Sequence, residues 1–199
     1  MIYQISLNGE KKEIQLGDKL QILSQLVECI ESNLNKETQV ISELKLGGIS
    51  YDWSTHGSDI EINSNQLSEI EVWTKNPKEI AIESLEYLKK YCSILIQFCD
   101  DLKPLVFEPQ FERFYVQLID GLMTFSETLS VSKKILLKES IQNLDLLEND
   151  LKSIIKDMHD SKRDSELEYF KLLLSKYLPQ NLLSWQNTGI NQIIRLHEV

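Results

Sequence analysis

The chain has no run of about 18 consecutive apolar residues, the length a membrane-crossing helix needs, so no membrane partner is expected. No basic stretch followed by a continuous apolar run opens it, so no signal peptide is expected either. Cysteine is scarce. Cys29, Cys92 and Cys99 follow neither C-x-x-C nor another zinc spacing, and reduced thiols in a cytoplasmic protein are the simplest reading. Histidine is equally thin: His56, His159 and His197 have no His or Cys at i+3 or i+4, and no Glu-x-x-His pattern of a di-iron bundle occurs. The 7 glycines form neither G-x-G-x-x-G nor G-x-x-x-x-G-K-[ST], and no serine sits in G-x-S-x-G. Catalytic residues, cofactors and metals are therefore all expected to be absent. Basic residues are in deficit, 21 Lys and Arg against 31 Asp and Glu, and the net charge of -10 repels phosphate backbones. Nucleic acid is not an expected partner.

What is present falls into two stretches with different periods. Ile2–Leu7 and Lys12–Leu16 alternate apolar with polar, joined by Asn8-Gly9, two residues that accept positive φ and favour a tight hairpin. The period then becomes helical. Asp18 can cap a helix with Gln21 three residues on, followed by Leu20, Leu23, Leu26 or Val27, Ile30 and Leu34. A second hairpin is predicted at Leu44–Leu46, Gly47-Gly48 and Ile49–Tyr51. A short strand fits Ile60–Ile62, and a last strand Ile70–Trp73. The order is β-β-α-β-β-β.

In its stretches MIYQISLNGEKKEIQL, ELKLGGISYD and SEIEVWT, with a helix between the first two, this half resembles the β-grasp fold of ubiquitin and the small sulfur carriers. Those carriers react at a free C-terminal Gly-Gly carboxylate. Here the only Gly-Gly lies inside a hairpin, so the resemblance implies an interaction module rather than a carrier.

Asn76-Pro77-Lys78-Glu79 reads as an N-cap, a proline at the first helical position and an acidic first turn. Beyond it Ala81, Leu85, Leu88, Cys92, Leu95, Cys99 and Leu102 recur at spacings of four and three, a bundle seam ended by Pro104. A second helix is expected from Pro109 through Phe111, Leu118, Leu122, Phe125 and Leu129. A third is expected from Ser132 to Met158, and a fourth from Asp160 or Ser161 to Pro179. An apolar tail over residues 180–199, interrupted by Gly189, docks on the bundle or binds a partner. The fold class is α+β: a β-grasp-like domain over residues 1–75, then an antiparallel bundle of four to five helices over residues 76–199.

Cys92 and Cys99 sit on the seam and are read as core residues, the histidines as solvated or capping groups. Trp73, in an alternating strand, is read as core, and Trp53, in a polar loop, as a surface contact. Trp53, Trp185, Ile190, Ile193 and Ile194 are the candidate partner-binding residues. The leading expectation is a non-catalytic cytoplasmic protein that binds another protein as adaptor or scaffold, with homo-oligomerisation left open. Two other classes compete. One is an acidic secretion or flagellar-type chaperone, similar in composition alone. The other is an enzyme using an interdomain pocket.

Overall fold

A computed structural model describes residues 2–15, 22–51, 60–62, 66–106 and 108–197. The fold class is α+β: a five-stranded mixed sheet with one helix, followed by a helical bundle. The chain divides into two compact units, residues 1–80 and 81–199. The division falls inside the first bundle helix rather than at Asn76.

In the first unit β1 (Ile2–Leu7) and β2 (Glu10–Gln15) form an antiparallel hairpin. Asn8 and Gly9 hold φ of 51° and 85°, as a two-residue hairpin turn demands. The Asn8 side chain also reaches another strand: its Nδ2 donates to Thr74 Oγ1 at 2.9 Å, and its Oδ1 accepts from Thr74 N at 2.8 Å. Helix α1 (Leu23–Ser32) follows, then β3 (Val40–Leu46), β4 (Ile49–Tyr51) and β5 (Ile70–Lys75). The sheet order is β2-β1-β5-β3-β4. β1 and β5 run parallel, and the other neighbours are antiparallel. The helix starts later than Leu20, because Ile22 is extended and bridges Glu61. The predicted cap at Asp18 and Gln21 lies outside the described residues. The strand expected at Ile60–Ile62 is reduced to that one bridge. Leu23, Leu26, Val27 and Ile30 of α1 pack on Ile5, Leu7, Leu44, Leu46, Ile70 and Val72, the inward parity of the strands.

Helix α2 (Pro77–Leu102), most of which lies in the second unit, starts at the predicted Asn76 cap: Asn76 Oδ1 accepts from Lys78 N at 3.0 Å. Its buried side chains are Ala81, Leu85, Leu88, Cys92, Leu95, Cys99 and Leu102, the seam visible in the sequence. A 3₁₀ turn, Lys103–Leu105, holds Pro104. Helix α3 (Phe111–Leu136) runs further than expected, because its seam continues through Leu129, Ser132 and Leu136 with no breaker at Ser132. Leu137 and Ile141 are extended, and α4 spans Gln142–Arg163. The third helix thus begins at Gln142, and Asp160 and Ser161 lie inside it. The fourth begins at Leu167, after a turn in which Ser165 takes φ of 61°.

Pro179 does not stop that fourth helix. α5 (Leu167–Leu172), α6 (Leu178–Ser184) and α7 (Ile190–His197) are joined without a break by two π-helical turns, Leu173–Tyr177 and Trp185–Gly189. Proline has no N–H to give and crowds the carbonyl four residues back. The wider turn meets both problems: Leu178 N bonds Leu173 O, five residues back, one residue ahead of the proline. Gly189 is part of the second π turn rather than an interruption. A Cβ there would lie 2.4 Å from Cε3 of Trp185, so the missing side chain makes room for the indole. Residues 180–197 are therefore the second half of the fourth helix, and Leu182, Trp185, Ile190 and Ile193 belong to the bundle core.

Candidate interaction surfaces

Strand parity dictates which side chains the sheet turns away from α1. Ile70 and Val72 point inward, so Glu71 and Trp73 point to the opposite face. Trp73 is 41% exposed, which corrects its reading as a core residue. It stands on β5, the middle strand, opposite Glu43 on β3. The β3–β5 register shifts between Ile41 and Glu43, and Ser42 Oγ there donates to the Trp73 carbonyl at 3.1 Å. Glu43 is held in turn: Lys45 Nζ lies at 3.2 Å and Ser50 Oγ donates at 3.1 Å. The Lys45 hydrogen bond, then that of Ser50, keeps the Glu43 carboxyl below the usual carboxylate range. Trp73 is therefore an indole framed by fixed polar groups. A shallow depression of about 500 Å³, lined by Gln4, Ser6, Lys11, Glu69 and Glu71 among others, lies over β1 and β5 on the same face. Parity was the missed signal: Trp73 alternates with Ile70 and Val72 and keeps step with Glu71.

The second surface lies between α3 and α4. Tyr115, Val116 and Ile119 from α3 and Ile155 from α4 line a half-open groove of about 400 Å³, edged by Asp120, Lys152, Lys156 and His159. Tyr115 stacks against Phe111 and meets Phe170, and Lys162 Nζ lies 4.5 Å from its ring centre. Its hydroxyl is buried and has no hydrogen-bond partner among the described residues. Burial, then the nearby Glu112 charge, raises the phenol pKa. Ion pairs tie the two helices at both ends of their interface. Lys162 and Glu112 are 2.6 Å apart, and Lys133 reaches Glu148 at 2.7 Å and Asp145 at 3.0 Å.

Of the residues singled out by sequence, Trp53 lies outside the described residues, as does His56. Trp185, Ile190 and Ile193 are fully buried, and Ile194 is half-buried against the same core. The Trp185 indole meets Phe125 edge-on, with ring centres 6.4 Å apart. These side chains stand in the bundle interior and form no common surface. Burial pushes the Cys92 and Cys99 thiols up to about 12, far from a reactive thiolate. His159 is exposed on α4, and His197 ends α7. Among the described residues no three His, Cys, Asp or Glu side chains converge to hold a metal ion, and no helix is long and apolar enough to cross a membrane. Comparison with known protein families, with curated proteins and with solved structures finds no match for this chain.

Proposed function

We propose that this chain is a non-catalytic cytoplasmic protein that binds another protein, and that its first unit is a β-grasp module serving as the recognition surface. The β-grasp reading is supported by the strand order β2-β1-β5-β3-β4, the parallel β1–β5 pair and the helix between the two hairpins. The observation that carries the functional reading is Trp73. A large indole on the middle strand, framed by Glu43, Lys45 and Glu71, has the make-up of a binding hot spot: an aromatic anchor within a polar rim. Packing inside the unit does not need it there, since Ile70 and Val72 already fill the inward positions of β5.

The test is quantitative affinity capture from the native cell with the full chain, its Trp73→Ala variant and a control, Tyr87→Ala, at an exposed position of α2. Loss of a hot-spot tryptophan costs about 2 kcal/mol or more of binding. A partner retained by the wild type and by Tyr87→Ala, and lost with Trp73→Ala at unchanged thermal stability, supports the proposal. Identical partners for all three proteins overturn it.

A further inference from the structure

We infer that the groove between α3 and α4 is a binding site for a small amphipathic carboxylate, its apolar tail on Val116, Ile119 and Ile155 and its head against Lys156 and His159. This site is independent of the sheet face.

Three features of the groove select that chemistry. Its floor is apolar, but its α4 wall is not: Lys152, Lys156 and His159 lie along it, against one carboxylate, Asp120, on α3. Lys152 is already engaged by Glu148 at 2.8 Å, whereas Lys156 and His159 have no hydrogen bond or ion pair among the described residues. They are the groups left to receive an anion, and Asp120 directs that anion to the α4 side.

The second feature is size. Lys152 to His159 spans two helical turns, about 10 Å. The Lys162–Glu112 pair closes one end of the interface, and Lys133, bound to Glu148, closes the other. A volume of about 400 Å³ fits a short ligand, not a helix running through. Third, Tyr115 on the floor has a buried hydroxyl without an acceptor, and unpaired buried donors are uncommon in folded proteins. A head that displaced the side chains covering that hydroxyl would supply one.

The probe is sodium decanoate below its micellar concentration, titrated into this chain and followed by amide chemical shifts, with decanol as the uncharged comparison. Saturable binding is expected, with the largest shifts on residues 115–120 and 152–159, and decanoate at least tenfold tighter than decanol. Lys156→Glu should weaken decanoate about tenfold. Val116→Trp should abolish binding by filling the groove from an exposed position, so the fold is not at risk. No saturable binding, shifts centred elsewhere, equal affinity for decanol, or binding that survives Val116→Trp would each overturn the site.

Discussion

At the scale of single residues, the decisive fact is which way a side chain faces. Trp73 differs from Val72 by one step along β5, and that step moves it from the core to the surface. Gly189 carries the opposite constraint, because the buried Trp185 ring occupies the space its side chain would need. Gly189→Ala should destabilise the bundle by about 1–3 kcal/mol, read as a lowered denaturant midpoint. An unchanged midpoint would mean that the indole can move aside.

Lys133 is a third such residue. Burial alone would lower its pKa, but hydrogen bonds to Glu148 and Asp145 outweigh it, and the net shift is upward. Burial likewise raises Glu148, and the bonds from Lys133 and Lys152 more than reverse it. Asp145 is lowered by hydrogen bonds from Ser140, then Lys133. Carboxylates depressed in the folded state stabilise it at neutral pH and lose that contribution as pH falls through their folded values, below about pH 4. Lys133→Met should therefore lower stability at pH 7 by about 1–2 kcal/mol, and the gap to wild type should close in acid. A gap of constant size from neutral pH to acid would show that the lost ion pairs are not its cause.

At the scale of elements, the sequence is legible where local pattern and packing agree. The α2 seam, the Asn76 cap and both two-residue turns were readable because each is fixed by neighbours along the chain. The helix ends were not. Ser132 looks like a start, but α3 passes through it because its seam runs on to Leu136. Pro179 looks like a stop, but burial of Leu182, Trp185, Ile190 and Ile193 draws the helix onward through a π turn. Tertiary packing there overrides a local breaker, and no local rule sees it. The groove residues were hidden for a related reason: Val116, Ile119, Ile155 and His159 lie beside the seams, and only the pairing of α3 with α4 brings them together. A chain truncated after Leu178 tests the continuous helix. It loses four fully buried side chains, each worth about 1.5–3 kcal/mol, which together rival the 5–15 kcal/mol stability of a typical domain. Its bundle should show no cooperative unfolding transition. A truncated protein that melts like the full chain would make the segment an accessory rather than part of the core.

At the scale of the whole molecule, two units with separate cores share one chain. The bundle buries its cysteines and its tail tryptophan, and neither the thiols nor Trp185 is left for chemistry at a surface. The sheet unit presents a tryptophan instead, and recognition through that face is the central claim. Site-specific photocrosslinking in the native cell measures it most directly, with the crosslinker placed at Lys45 beside the Trp73 face or at Tyr87 on α2. A discrete adduct from position 45, absent at 87 and lost when Trp73→Ala is added, is the predicted result. No adduct from position 45, or the same adducts from both positions, would contradict the account.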